Sequence, residues 1–418
     1  MNSDCPKIFK LSINFSLIGI LGTAAFAPNG ASAATFYEAL SGGKVSANIR
    51  YRDEWVEQQN IGNWAHASTV RTHLGYLTGD YLGLGGFLQF EDIHTVAADR
   101  YNDTINGATS FPIIADPVDT EINQAYLSYK AYKTLLKYGR QTLIYDNHRF
   151  IGNVGWRQNE QSFDAFSAVN TSIPATTLSY AYTTNINRIF SDRSDKGNVR
   201  LKGHLFNAAY KGLTAGGLTG YAYLLDYNPK QALAATASNM TFGLRFDGNA
   251  KVADLKYLYT LEYATQSDYG DGASTVDADY QFLMAGVDWG FVQLKLNYEK
   301  LAGDGKYGFA TPLATLHAFN GWADQFLITP TRGIVDQFIS VGGTVAGINL
   351  LARYHDFSSD EQGYAYGNEI DLQAAKKITD YMTLLLKYAD YRGDNNSRNI
   401  APLTLDVTKM WLQMEIQF

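Results

Sequence analysis

The chain has 418 residues, a formal net charge of −7 and 29 tyrosines against only 9 prolines. The acidic balance excludes a nucleic-acid binder of the usual basic kind, and abundant Tyr with little Pro excludes a disordered chain. Cys5 is the only cysteine, so disulfide and thiol chemistry are excluded from the chain beyond it.

At the start, Lys7 and Lys10 precede the apolar run LSINFSLIGILGTAAFA, and Ala31-Ser32-Ala33 follows as a small-x-small signal. This pattern predicts a signal peptide over residues 1–33, cleaved after Ala33, and a single exported domain over 34–418. No later stretch offers the ~20 consecutive apolar residues that a spanning helix needs.

From residue 43 onward the polarity alternates with a period of two, the mark of strands. In GKVSANIRYRDE, Val45, Ala47, Ile49 and Tyr51 stand opposite Ser46, Asn48, Arg50 and Arg52. MTFGLRFD sets Met240, Phe242, Leu244 and Phe246 against Thr241, Arg245 and Asp247. DLKYLYTLEYA, FVQLKLNYEK and NEIDLQAAKK repeat the pattern, and TKMWLQMEIQF closes the sequence with it. About eighteen such segments are predicted. They lie near 43–54, 67–78, 81–92, 119–131, 134–142, 161–168, 175–187, 199–210, 213–225, 237–247, 251–264, 277–288, 290–300, 333–345, 347–357, 368–377, 381–391 and 405–418.

Connections between these segments alternate short and long. Short ones fall near Gly79, Gly212, Gly248, Gly290 and Gly347; long ones span roughly 93–118, 143–160, 226–236, 265–276, 301–332 and 392–404. A soluble sandwich has no reason to lengthen every second loop. A transmembrane barrel does, with short periplasmic turns and long extracellular loops. The expected fold is an all-β, 18-stranded antiparallel transmembrane barrel. TKMWLQMEIQF is then the closing strand, pairing with GKVSANIRYR, because closure removes the edge that lipid forbids. Its terminal Phe resembles the signal that such barrels present to the barrel-assembly machinery.

A barrel of this size is wide enough for an aqueous channel. On the polar parity the basic residues Arg50, Arg52, Arg71, Arg140, Arg200, Lys202, Arg245, Lys256, Lys295, Arg353, Lys387 and Lys409 outnumber the acidic Glu54, Glu91, Asp247, Glu262, Glu299, Asp371 and Glu415. A basic lumen favours anions. The alternative for each residue is a structural ion pair that braces the wall. The histidines make no HExxH pair and no GxSxG elbow occurs, so an enzyme is not expected. No cofactor is expected. DYGDGASTVDADY carries Asp268, Asp271, Asp277 and Asp279, which read either as a calcium loop or as a solvated acidic one.

Two blocks go beyond pattern: KYGRQTLIYDNHRFIGNVGWRQNEQSFDAF and HAFNGWADQFLITPTRGIVDQF. On Gly139-Arg140-Gln141, Arg149, Trp156-Arg157-Gln158-Asn159, Phe163-Asp164, Asn320-Gly321-Trp322-Ala323-Asp324, Gly333 and Asp336, the chain resembles the alginate-export family of outer-membrane porins. The resemblance implies an 18-stranded barrel with a positively charged constriction for an anionic polysaccharide and with gating loops. It implies pore-facing roles for Arg140 and Arg157 with Asp164 as an acidic partner. Trp156, Trp322 and Asp324 would lock loop structure. The functional expectation is a passive channel, monomeric or trimeric. It would be seated in outer-membrane lipid and lipopolysaccharide and pass an anionic sugar or small organic anion. The alternatives are a substrate-specific nutrient porin and, outside transport, a barrel enzyme or adhesin.

Overall fold

A computed structural model describes residues 35–230, 237–394 and 403–418; the leader expected over 1–33 lies outside them. A short helix, α1 (Phe36–Ser41), is closed at its N-terminus by a capping box between Thr35 and Glu38. Eighteen strands follow. The first nine are β1 (Lys44–Gln58), β2 (Ala65–Leu77), β3 (Leu84–Arg100), β4 (Asp119–Ala131), β5 (Thr134–Gln141), β6 (Ser162–Asn170), β7 (Thr176–Asn187), β8 (Asn198–Leu213) and β9 (Gly216–Tyr227). The second nine are β10 (Asn239–Val252), β11 (Leu255–Asp268), β12 (Asp277–Asp288), β13 (Val292–Leu301), β14 (Ile334–Val345), β15 (Ile348–Ser358), β16 (Ala365–Lys377), β17 (Met382–Gly393) and β18 (Val407–Gln417).

Each strand pairs antiparallel with its sequence neighbours, and β1 pairs with β18 from Asn48↔Gln417 to Gln58↔Val407. The sheet is therefore a closed barrel with no free edge, as a hydrocarbon surrounding requires. Turns at one end of the barrel are short: Tyr132-Lys133 links β4 to β5, Ala253-Asp254 links β10 to β11, and Ala346-Gly347 links β14 to β15. Tyr132, Lys133, Ala253, Ala346 and Gly347 all have positive φ, the twist that tight hairpins demand.

One parity of each strand is exposed and apolar, including Leu127, Phe242, Leu244, Leu296, Leu372, Leu386, Met410 and Leu412. A continuous apolar wall of this extent matches lipid rather than water. Beside the long connections the other parity is buried: on β18 it carries Lys409, Trp411 and Gln413. What buries it is a pair of long connections, loop A (residues 142–161) and loop B (residues 302–333). Arg157 of loop A reaches Glu54 on β1, while Phe150 of the same loop packs on Tyr221 of β9 and Tyr280 of β12. Strands on different sides of the barrel touch one loop only if that loop lies inside the lumen.

The register on β1–β18 gives a direct test. Ile49 and Ile416 are Cα partners, so Ile49→Cys with Ile416→Cys is expected to form a disulfide on mild oxidation, read as a mobility shift in non-reducing electrophoresis. Ile49→Cys with Leu412→Cys is expected not to form one. The opposite result would mean a different closing register.

Candidate functional site in the lumen

Loops A and B are bound to each other before they are bound to the wall. Gly152 N donates to Leu313 O at 2.8 Å, Thr315 N to His148 O at 3.0 Å, and Val154 N to Thr315 Oγ1 at 3.1 Å. Arg149 ties this joint to β13: its Nε donates to Glu299 at 2.7 Å and its Nη2 to Asn320 Oδ1 at 3.0 Å. On the β9 and β12 side the joint is apolar, with Phe150, Tyr221, Tyr223, Tyr280 and Phe309 in ring contact.

On the β1, β17 and β18 side the joint is ionic. Asp324 of loop B accepts from Arg157 Nη2 at 3.1 Å, from Lys409 Nζ at 2.6 Å, and from His317 Nδ1 at 2.7 Å. His317 Nε2 faces Lys387 Nζ at 2.6 Å. A lysine ammonium has no lone pair, so His317 is neutral, with Nδ1–H donating to Asp324 and Nε2 accepting from Lys387. Trp156 stacks on His317 with centroids 4.5 Å apart, and Lys387 lies 3.7 Å from the Trp322 ring centre and 4.2 Å from that of Trp156. Arg52 lies 4.1 Å from the Trp156 centre and donates to Gln413.

Burial tends to raise the Asp324 carboxyl, but His317, Lys409 and Arg157 together hold it well below the ordinary carboxylate range. Burial tends to lower Arg157, and Glu54, Asp116 and Asp324 overcome this and push it above its usual value. For His317 burial wins, and the imidazole is held well below its usual value despite Asp324. An isolated buried charge costs several kcal/mol, so these groups persist only as a mutually paired set.

The sequence-selected residues divide into three groups. Arg50, Arg52, Arg71, Arg157 and Lys387 stand in the lumen but are buried and engaged by the loops or their neighbours. Arg50 donates to Gly155 O at 2.9 Å, and Arg71 pairs with Glu160 at 3.5 Å. Arg245, Lys295 and Arg353 lie on the inner parity and are only partly buried. Arg245 pairs with Glu262 at 2.6 Å and Asp247 at 3.5 Å, and Arg353 lies 5.1 Å from the ring centre of Trp322 in loop B. Arg140, Asp164, Arg200 and Lys202, expected to face the pore, lie on the outer parity instead.

Arg140 pairs with Asp164 at 3.0 Å, sharing a face with exposed Tyr138 and Phe166. Arg200 and Lys202 share a face with exposed Phe206, and Lys202 pairs with Asp226 at 3.8 Å. Their inward neighbours Val199, Leu201, Leu205, Phe163 and Ala165 are buried in the apolar part of the joint. The reason is height. Lys202 stands about 28 Å above the Leu213 end of β8, taking ~3.3 Å per residue and ~40° of tilt, which clears the ~25 Å apolar band. Above that band the outside is polar, and the filled lumen is the apolar side.

Trp156, Trp322 and Asp324 do hold the loops, as set out above. Asp116 was missed: fully buried, it accepts from Gln158 N at 2.8 Å and stands 3.8 Å from both Arg52 and Arg157. No periodic signal marks it, since it lies in the connection between β3 and β4. The acidic loop Asp268–Asp279 does not gather its carboxylates. Among the described residues the only set close enough for a shared cation is Asp119, Glu121 and Asp192. Ser68, His66 and Asp53 converge on the outer face of β1 and β2, but Ser68 bonds Asp53 directly. One nitrogen, His66 Nε2, stands 2.9 Å from Asp53 and 3.4 Å from Ser68. A catalytic relay needs two different ring nitrogens.

A closed 18-stranded barrel with an apolar outer wall and loops folded inward is an outer-membrane porin. The alginate export family matches it over residues 45–308, and the chain belongs to that family. Among solved structures it is similar to Pseudomonas aeruginosa OccK9 (OpdG), at 13% identity, TM-score 0.70, and coverage of 91% of this chain and 100% of that one. It is similar to Acinetobacter baumannii OccAB2 at 15% identity and TM-score 0.69, covering 91% and 99%. It is also similar to Pseudomonas aeruginosa OpdK, crystallised with vanillate, at 12% identity and TM-score 0.67, covering 91% and 100%. No curated protein matches it in sequence.

Two outcomes follow from the ionic joint. Asp324→Asn leaves Arg157 and Lys409 buried without their shared anion and is expected to destabilise loop docking by about 3–5 kcal/mol, read as protease cleavage within loop B and a larger single-channel conductance. His317 adds a pH dependence. Its folded state resists a proton that the unfolded chain accepts below about pH 6.5, so docking weakens as pH falls from there by about 1.4 kcal/mol per pH unit. Melting curves between about pH 7 and 5 are expected to show that slope in the wild type and a reduced one in His317→Gln. Asp324 acts lower, its contribution being lost only below about pH 4.

Proposed function

We propose that this porin passes anionic, carboxylate-bearing solutes passively, and that the cations of the periplasmic half of the lumen select them. One observation carries this reading. The cations of the outer half are consumed in holding the loops, and below them Arg245 is paired with Glu262, whereas Lys251, Lys256 and Lys295 are not so engaged. Lys251 and Lys256 are cross-strand partners on β10 and β11, and Lys295 lies on the same inner face on β13. Among the described residues none of these three forms an ion pair, and Lys295 is within electrostatic reach of Arg353, Asp288 and Lys256. Lys137 adds a further cation on β5, set 4.3 Å from the Tyr126 ring centre. A run of unpaired ammonium groups facing water attracts anions and gives them successive weak sites.

Family membership supports an anionic polysaccharide such as alginate as the solute. The packing of loops A and B favours a second reading, a small organic anion. A lumen filled in its outer half by two bound loops suits a solute of one or two rings better than a long polymer, and vanillate, crystallised with OpdK, is an aromatic monocarboxylate. In either reading the barrel does no chemistry. It sits among outer-membrane lipid and lipopolysaccharide, its export begins with the 1–33 leader, and the assembly machinery inserts it.

Reversal potential in a salt gradient across a planar bilayer tests the proposal. Anion selectivity is expected, reduced at least severalfold in Lys256→Gln with Lys295→Gln, while Lys202→Gln on the outer parity leaves it unchanged. Block by a uronate oligomer but not by vanillate would favour the polysaccharide. Cation selectivity of the wild type would reject the reading.

A further inference from the structure

Loop A turns toward the periplasmic half of the lumen at Tyr145–His148, where Tyr145 stacks on Tyr223 and His148 O accepts from Thr315 N, while Asp146 takes part in neither joint. Asp146 here is exposed to water, although Arg149, Phe150 and Ile151 just beyond it are buried. Its carboxylate is nevertheless held: Asn207 Nδ2, on the buried inner face of β8, donates to Asp146 Oδ2 at 2.7 Å. Arg245 and Lys211 attract the same carboxylate, and Asp247 repels it. The backbone fixes the turn. Asp146 has φ +51° and His148 φ +65°, values that Asp, Asn and His tolerate better than other side chains. Tyr145 N donates to Ile151 O at 3.1 Å and His148 N to Tyr145 O at 3.0 Å, closing the turn on itself.

We infer that Asp146 is a specificity-determining residue: a carboxylate built into the chain at a position where a solute carboxylate would otherwise bind. The inference rests on the anion-channel reading above. Its neighbours are those an anionic solute would seek, an amide donor with a guanidinium and an ammonium nearby. An anion arriving there meets a fixed negative charge and an amide already engaged. Conduction needs binding that is weak enough to release, and Asp146 weakens it at the place where lumen cations meet the loops. The effect grows with the charge of the solute, so a polyuronate is disfavoured more than a single uronate.

Single-channel block of the refolded full barrel by galacturonate and by trigalacturonate tests this. Asp146→Asn keeps the turn, because Asn accepts the left-handed conformation, and removes the charge. Removing a unit charge at contact distance in water is expected to lower the half-blocking concentration of trigalacturonate about fivefold, and that of galacturonate less, with Asp146→Glu close to the wild type. Asp146→Ser is read in the same way should Asp146→Asn not refold. An anion-selective wild type with unchanged block in the neutral variants would overturn the inference and leave the channel reading standing. So would Asp146→Glu behaving like Asp146→Asn, since position and not charge would then matter. A cation-selective wild type would overturn the channel reading itself.

Discussion

In hydrocarbon no backbone amide or carbonyl can go unpaired, and the pairing of β1 with β18 is what satisfies that demand here. Everything else in the molecule depends on it. Closure divides the side chains of every strand into an outer and an inner set. With antiparallel order it places successive connections at alternate ends, and here the tight turns lie at one end and the long connections at the other. It also creates a lumen into which loops A and B can fold and find walls on all sides.

Within that lumen the chain makes two kinds of joint with its own loops. Toward β9 and β12 it uses rings, whose burial is favourable without further conditions. Toward β1, β17 and β18 it uses charges, whose burial is favourable only as a complete set. Asp324 is the centre of that set because it alone joins a side chain of loop A, a side chain of loop B and a strand lysine: Arg157, His317 and Lys409. The cations spent there are unavailable to a solute. That is why the selective charges are sought lower down, on β10, β11 and β13.

The strand pattern was legible throughout: each of the eighteen segments expected from alternation has its strand, and the alternating loop lengths gave the class of barrel. Two things were not legible. Alternation identifies two faces but not which of them meets water, and that assignment changes with height. For Arg50, Arg52 and Lys387 the polar parity is the lumen. For Arg140, Asp164, Arg200 and Lys202 it is the outside, because β5 to β9 rise above the lipid and their inner face packs on loop rings such as Tyr145 and Phe150. The second is long-range pairing. Trp156, Trp322 and Asp324 drew attention through motif resemblance, but nothing local in the sequence links Asp116 to Arg157, or Asp146 to Asn207.

The ionic joint draws its members from both ends of the chain: Arg52 and Glu54 from the first strand, Lys409 and Trp411 from the last. These groups become neighbours only when the seam is zipped. Contacts so distant in sequence come late in folding, since the intervening chain must first be ordered. The joint thus works as a check on completion. A barrel lacking its last strand has no Lys409 for Asp324 and no Trp411 beside Trp156, so its loops stay undocked and open to periplasmic proteases. Only the finished molecule has the means to hide them.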